Sequence, residues 1–180
     1  DSSTPPFHRW FTGAMVNTCH NALDRHVDVG RGDQIALIYD SPITGAMARF
    51  TYTELRDRAA LFAGALAQRG VVKGDRVVIY MPMVPELAMA VLACTRIGAI
   101  FSVVFAGFSA TSLKDRIQDQ EAKLVITADG CWRHGKVLDL KTVVDEAIVD
   151  CPSVENVLVF KRGEGVGSQS AGTDLDLDWN

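Results

Sequence analysis

A chain of 180 residues has the length of one domain, and its 48% of hydrophobic residues can fill a sizeable core. The formal net charge of −4, without any long basic run, argues against a nucleic-acid partner. No apolar run approaches the roughly 18–20 residues that cross a bilayer, so we expect no membrane partner either.

The first 33 residues are predicted to form a small N-terminal extension. They begin Asp-Ser-Ser-Thr-Pro-Pro, which lacks the basic and apolar regions of a signal peptide. They also lack an initiator Met, so we expect the chain to be part of a longer protein. Apolar residues at spacings of three and four predict an amphipathic helix within residues 15–29. Two short strands, 34–39 and 49–52, are predicted to pair as a hairpin.

Strands and helices alternate along the rest of the chain. A capping-box pattern at Thr51 and Glu54 predicts a helix that runs to residue 68. The further predicted elements are strands 76–80, 100–105, 123–127 and 157–160 and helices 86–97, 111–120 and 141–149. This order predicts an α/β fold over residues 34–162, with a doubly wound, mainly parallel sheet flanked by helices. Residues 163–180 are rich in Gly, Ser, Gln and Asp, which is typical of a linker or mobile segment.

The stretch 98–109 is the first place to look for a site. Residues 100–105 are apolar apart from Ser102, which predicts a fully buried parallel strand. Gly107 ends that strand and Ser109 can cap the next helix. Ligands of open α/β sheets lie beyond the carboxyl ends of the strands. Gly107 therefore has two interpretations, a residue that permits a tight turn or one that lets a ligand approach the backbone.

A second candidate is the sequence Arg133-His134-Gly135-Lys136, which follows the predicted strand 123–127. We expect it to be a loop at the same edge of the sheet. Arg offers a fork that matches phosphate oxygens, Lys adds a point charge, and Gly lets a ligand reach the backbone. The alternative is a solvated basic loop without a ligand.

Other chemistry-bearing motifs are missing or out of context. The glycines that begin at Gly163 are followed by a polar stretch and not by a helix, so they do not form a dinucleotide-binding fingerprint. The sequence also contains neither a P-loop motif nor a Gly-x-Ser-x-Gly nucleophile elbow. The four cysteines are scattered and have no zinc spacing, so we expect no metal site. Free thiols are typical of a reducing compartment, here the cytoplasm or, in a eukaryote, the mitochondrial matrix. No residue is assigned as catalytic.

Seven blocks in a fixed order resemble the N-terminal part of short-chain acyl-CoA synthetases, the acetyl-CoA and propionyl-CoA synthetase group of the adenylate-forming enzymes. The resemblance covers roughly residues 10–162. The blocks are residues 21–26, 73–75, 79–86, 92–94, 96–99, 102–109 and 124–129.

The resemblance implies the first α/β subdomain of an enzyme that makes an acyl adenylate from a carboxylate and ATP with Mg²⁺, and then transfers the acyl group to CoA. The family's Arg-x-Gly-Arg/Lys element, which holds the phosphates of the CoA nucleotide, falls on Arg133, Gly135 and Lys136, with His134 at the variable place. The family's Phe-Gly-Gly-Phe turn falls on residues 105–108, where Ala106 replaces the usual Gly. We expect that position to tolerate a methyl group.

The family's phosphate loop, adenine and acyl pockets, Mg²⁺ carboxylate and catalytic Lys come after the region of resemblance. We therefore expect ATP, Mg²⁺ and the carboxylate to bind the remainder of a parent chain, and this piece to be inactive alone. Two alternatives stay open. One is a free-standing, doubly wound nucleotide-binding module without catalysis, and the other is a structural fragment that does not bind CoA by itself.

Overall fold

The computed structural model describes residues 2–162 and 176–179. The four α-helices of this part of the chain are α1 (Tyr52–Gln68), α2 (Pro85–Ile97), α3 (Ala110–Asp119) and α4 (Leu140–Ile148). Its strands are β1 (Ile35–Ser41), β2 (Ala46–Thr51), β3 (Arg76–Met81), β4 (Ile100–Phe105), β5 (Leu124–Ala128), β6 (Gly130–Arg133), β7 (Lys136–Asp139), β8 (Asn156–Phe160) and β9 (Asp176–Asp178). None of these helices is long and apolar enough to span a bilayer.

The central sheet has five strands within the described residues, in the order β4-β3-β5-β8-β9. All of its pairs are parallel. Val78 of β3 lies opposite Ser102 of β4 on one side and Val125 of β5 on the other. Helical crossovers join these strands, so the predicted mainly parallel sheet is confirmed.

Helices cover both faces of the sheet. On one face, Val78 and Val125 pack with Leu113 of α3 and Val144 of α4. On the other face, residues that include Ile79 pack with side chains of α1 and α2. Val78 and Ile79 are neighbours in sequence and both fully buried, because successive strand residues point to opposite faces. Each such side chain contributes about 1.5–3 kcal/mol through its burial.

Local sequence signals set the helix ends. Thr51 Oγ1 accepts the Glu54 N–H at 3.2 Å, and a Glu54 carboxylate oxygen accepts the Thr51 N–H at 2.8 Å, which completes the predicted capping box. Gly98 ends α2 in a left-handed conformation with φ of 76°. Ser109 Oγ accepts the Ser112 N–H at 3.3 Å and so caps α3 as predicted.

The prediction of a fully buried strand at residues 100–105 is wrong. In the part of the chain that the structure describes, β4 pairs only with β3 and is an edge strand. Val104 is buried, but Ile100, Val103 and Phe105 are about half exposed. The apolar run therefore belongs to a strand with one open side.

The N-terminal extension packs against α2. Residues 18–31 are helical, with π-type turns over 20–24 and 27–31, so most of the predicted helix is present; Leu23 is buried and Val16 is exposed. The Arg96 guanidinium donates to both Asp24 carboxylate oxygens, at 2.8 and 2.7 Å. The predicted hairpin is present as the antiparallel pair β1–β2.

The predicted linker, residues 163–180, falls mainly on residues 163–175, which lie outside the described residues. Asp176–Asp178, expected in that linker, instead form β9, which extends the sheet parallel to β8. Trp179 stacks on Phe62 of α1 with ring centroids 3.7 Å apart. The α/β domain thus includes residues beyond the predicted boundary at 162, because an aromatic contact and a strand pairing hold them.

Candidate functional site

A cavity of about 500 Å³ lies at the carboxyl edge of the parallel sheet. Its walls are mostly apolar and include Met81, Val103 and Phe105, which lie at or near the ends of β3 and β4. Its charged residues are two cations, Arg133 and Arg162, and one acid, Asp40. The cavity is therefore where ligands of open α/β sheets are expected, and its charge suits an anion.

The four residues 133–136 do not form the expected open loop; they form the tip of a β-hairpin. Strands β6 and β7 pair antiparallel, and a two-residue turn of His134 and Gly135 joins them. His134 has φ of 50° and Gly135 has φ of 74°, the left-handed pair that such hairpin turns require. These strands of four residues are too short and too polar to give a clear alternating pattern in the sequence.

Arg133 and Lys136 are directly opposite one another, as the last pair of residues before the turn. Opposed residues of an antiparallel pair project from the same face, with Cβ atoms about 4.5–5.5 Å apart. Both residues are exposed, as are His134 and Gly135. The hairpin therefore brings the two predicted phosphate-binding cations together on one face.

Gly107, the other predicted site residue, contacts Arg133. The Arg133 guanidinium carbon lies 4.7 Å from the centroid of the Phe105 ring, a cation–π arrangement. A Cβ added at Gly107 would lie 1.5 Å from Arg133 Nη1. The turn is tight, since the Gly107 N–H donates to the Phe105 carbonyl at 2.7 Å, but φ of Gly107 is outside the left-handed region. The glycine is therefore required mainly because it leaves space for the Arg133 side chain, and less because of its conformational freedom. Ala106 also avoids positive φ, so its methyl group is tolerated as expected.

A buried tyrosine supports this turn from below. Tyr80 is fully buried, and its hydroxyl donates to the Phe108 carbonyl at 2.9 Å. Burial raises the pKa of Tyr80 to about 12, so the hydroxyl remains a neutral donor. The turn that carries Gly107 is therefore fixed to the core of the sheet.

Two residues of this edge were missed from the sequence, Asp129 and Arg162. Asp129 is buried at the end of β5, and Arg162 follows β8 and lines the cavity. A polar residue directly after a buried strand was the signal that could have identified Asp129. Arg162 carried no comparable signal, because only the strand order places it beside the hairpin.

The described residues of the site supply binding groups, and their one thiol is not activated as a nucleophile. Cys131 lines the cavity, but burial raises the pKa of its thiol, and the nearby Arg162 and Arg133 only partly oppose that effect. No group of three or more His, Cys, Asp or Glu side chains in the described residues could hold a metal ion. The arrangement is suited to hold an anionic ligand.

Fold and site together define a doubly wound α/β domain with a cationic hairpin at the carboxyl edge of its sheet. The family model described as "AMP-binding enzyme" matches residues 23–175, and the chain belongs to this family. It is 49% identical over 179 residues to the acetyl-coenzyme A synthetase of Mycolicibacterium smegmatis, a match that covers 99% of this chain and 18% of that protein. It is 51% identical to the acetyl-coenzyme A synthetase of Streptomyces coelicolor, over 90% of this chain and 25% of that protein.

A solved structure supports the same assignment. The acetoacetyl-CoA synthetase of Streptomyces lividans matches with a TM-score of 0.82 and 32% sequence identity. That match covers 95% of this chain and 25% of the other. The chain thus spans about a fifth to a quarter of the length of these relatives.

Proposed function

We propose that the chain is the N-terminal part of an ATP-dependent acyl-CoA synthetase that joins a short carboxylate, acetate or propionate, to CoA with release of AMP and pyrophosphate. Membership in the AMP-binding enzyme family supports this proposal. So does identity of about one half to acetyl-coenzyme A synthetases over nearly the whole chain.

In this proposal, Arg133 and Lys136 hold phosphates of the CoA nucleotide. The observation that carries it is the convergence of Arg133, Lys136 and Gly107 at the carboxyl edge of the sheet, from the β6–β7 hairpin and from the turn after β4. CoA carries a 3′-phosphate and a pyrophosphate, so fixed cations beside an apolar cavity suit it. Arg133 can bind two phosphate oxygens through its fork, and Lys136 adds charge from the same face of the hairpin.

This chain contributes binding and orientation, and the reacting groups meet elsewhere. CoA is the acceptor of the acyl group, and its thiol is the group that reacts. The hairpin holds the nucleotide end of that molecule, far from the thiol along the CoA chain. ATP, Mg²⁺ and the carboxylate bind the remainder of the parent chain, and His134, exposed in the turn, is assigned no catalytic role.

The first test uses the 180-residue chain alone. Because no ATP-binding loop occurs in its sequence, the purified chain should show no carboxylate-dependent exchange of pyrophosphate with ATP. Measurable exchange by a preparation free of full-length enzyme would refute the proposal that this piece is inactive alone.

The second test uses the full-length enzyme. Arg133→Ala and Lys136→Ala should each raise the KM for CoA by roughly 3- to 100-fold. The lower limit corresponds to the loss of a solvent-exposed ion pair and the upper limit to the loss of a well-formed charge-assisted hydrogen bond. The adenylation half-reaction should hardly change. The variants should also discriminate less than the wild type between CoA and dephospho-CoA, which lacks the 3′-phosphate.

Arg56→Ala is a matched control, because Arg56 is an arginine of α1 that pairs with Asp57 away from the cavity. It should leave the KM for CoA unchanged. If the two hairpin variants lose adenylation as severely as thioester formation, the hairpin is structural and the CoA assignment is wrong.

A further inference from the structure

One buried carboxylate joins three segments at the base of the hairpin. Asp129 is 7% exposed and directly follows β5. Its Oδ1 accepts the Gly130 N–H at 2.9 Å and the Arg162 N–H at 3.1 Å. A single oxygen therefore connects the first residue of the hairpin to the chain that leaves β8.

The backbone of Asp129 extends the same junction. Its N–H donates to the Phe160 carbonyl at 3.0 Å, and its carbonyl accepts the Leu140 and Lys141 N–H groups at 3.2 and 3.3 Å. These two N–H groups belong to the first turn of α4, where a helix cannot satisfy them itself. Asp129 thus anchors the start of the element that follows the hairpin as well as the hairpin itself.

The far end of the hairpin is anchored in the same place. Asp139, the last residue of β7, pairs with Gly130 across the hairpin. Its Oδ1 accepts the Thr142 N–H at 3.0 Å and so caps α4. Both ends of the hairpin are therefore fixed, and the tip that carries Arg133 and Lys136 extends from a rigid base.

Arg162 lies on the other side of this junction. Its backbone N–H is bound by Asp129, and it lines the same cavity as Arg133. The two arginines come from segments that are far apart in sequence. Their relative positions thus depend on what joins those segments at the base, where the Asp129 carboxylate adds the bond to the Arg162 N–H to the backbone pairing of β5 with β8.

We propose that Asp129 is the positioning residue of this site, which fixes the hairpin relative to Arg162 so that Arg133, Lys136 and Arg162 present one cationic surface to the CoA phosphates. This inference rests on the proposed function of the hairpin. It adds Arg162 to the phosphate-binding groups and assigns to Asp129 no contact with the ligand.

Substitutions at Asp129 separate geometry from charge. In Asp129→Asn the remaining Oδ1 still accepts two N–H groups, so the junction is preserved without the negative charge. Asp129→Ala leaves the Gly130 and Arg162 N–H groups without their acceptor. If Asp129 is a positioning residue, the Asn variant should keep a KM for CoA near that of the wild type, and the Ala variant should not.

The test measures CoA kinetics and adenylation in the full-length enzyme. Asp129→Ala should raise the KM for CoA by about 3- to 30-fold, consistent with the loss of one or two charge-assisted contacts, with adenylation within about twofold of wild type. Asp129→Asn should stay within about threefold of the wild-type KM. Arg162→Ala should also raise the KM for CoA. The double variant Asp129→Ala/Arg133→Ala should raise the KM for CoA by less than the product of the two single fold-increases, because Asp129 acts through Arg133.

Asp75→Ala is the matched control. Asp75 Oδ2 also accepts a backbone N–H, that of Val72 at 2.9 Å, but it lies at the opposite edge of the sheet, before β3. This variant should lower stability and leave the KM for CoA unchanged. If Asp129→Ala behaves like Asp75→Ala while Arg133→Ala still raises the KM, the positioning role is wrong and the proposed function stands. If Arg133→Ala has no effect on the KM, the proposed function itself fails.

Hydrogen exchange tests the junction in the wild-type enzyme, whether or not Asp129→Ala folds. The Gly130 and Arg162 amides should exchange as slowly as the amides of β5, and the His134 amide at the tip should exchange much faster. Exchange of the Gly130 and Arg162 amides at the rate of His134 would overturn the proposal.

Discussion

The Arg133 guanidinium occupies the space that a side chain of residue 107 would need. An ideal Cβ at Gly107 lies 1.5 Å from Arg133 Nη1 and 2.8 Å from the guanidinium carbon. The two residues are far apart in sequence: Gly107 lies in the turn after β4, and Arg133 is the last residue of β6. The glycine and the arginine therefore form one unit, in which the absence of a side chain at one position makes room for the cation of the other.

Gly107→Ala should displace Arg133 and raise the KM for CoA about as much as Arg133→Ala does. The stability cost should be about 1 kcal/mol, because the clashing atoms belong to the exposed Arg133 guanidinium and to the edge of the half-exposed Phe105 ring, and φ is unstrained. Gly64→Ala, at an open position of α1, should stabilise the protein by about 0.5–1 kcal/mol without changing the KM. Urea unfolding and CoA kinetics on both variants check this pair, and an unchanged KM for Gly107→Ala would contradict it.

His134→Asn should stabilise the hairpin. His134 has φ of 50°, a conformation that costs most side chains about 1–2 kcal/mol and that Asn adopts more readily. We expect a gain of up to about 1 kcal/mol in the free energy of unfolding, and a smaller effect on the KM for CoA than that of Arg133→Ala, because His134 stands at the variable place of the Arg-x-Gly-Lys element. His134→Val should have the opposite sign, since a β-branched residue is poorly suited to positive φ. A loss of stability in the Asn variant would show that His134 makes a contact worth more than its strain.

Val125→Ala should lower the free energy of unfolding much more than Val103→Ala. Val125 is fully buried between helices on the central strand β5, whereas Val103 is 49% exposed on the edge strand β4. We expect Val125→Ala to cost about 2 kcal/mol and Val103→Ala less than about 1 kcal/mol in the 180-residue chain. Chemical denaturation of the two variants measures the difference, and equal costs would mean that β4 is covered.

Arg96→Met should weaken the attachment of the N-terminal extension in a pH-dependent manner. The hydrogen bonds from Arg96 lower the pKa of Asp24 below its unfolded value of about 3.9. The ionised carboxylate therefore stabilises the fold above about pH 4, and this contribution is lost as the pH falls through the folded pKa. We expect Arg96→Met to cost about 1.5–3 kcal/mol at pH 7.

The difference in the free energy of unfolding between the wild-type and Arg96→Met proteins should shrink as the pH falls below 4. Urea unfolding at pH 7 and pH 3 measures this difference. Arg56→Met, which breaks the more exposed pair with Asp57, should cost under about 1 kcal/mol at pH 7. A stability difference for Arg96→Met that is equal at both pH values would rule out the ion pair as its source.

Most of the fold could be predicted from local signals. The capping box at Thr51 and Glu54, Pro85 at the start of α2 and Gly98 at its end each act within a few residues. The prediction of a mainly parallel sheet followed from the alternation of strands with helices, and it is confirmed. The exposure of Val103 could not be predicted in this way, because a run of apolar residues does not reveal whether a strand is central or at an edge.

The site was predicted only in part for a similar reason. Residues 133–136 and Gly107 were candidates from the sequence, but the contact between Gly107 and Arg133 depends on packing between the hairpin and the turn after β4. The hairpin was missed because its strands are short, and Asp129 and Arg162 meet only once β5 and β8 are neighbours. Side chains that act through tertiary contacts leave little local pattern to detect.

The four cysteines provide built-in reporters of local opening. All are free and buried, and burial raises the pKa of each thiol, so the folded protein should react slowly with a maleimide. Cys19 belongs to the apolar cluster of the N-terminal extension, Cys94 to the α1–α2 face, and Cys131 and Cys151 to the α3–α4 face. The order in which these thiols become labelled in rising denaturant would therefore rank the three parts of the core by stability without the introduction of any probe.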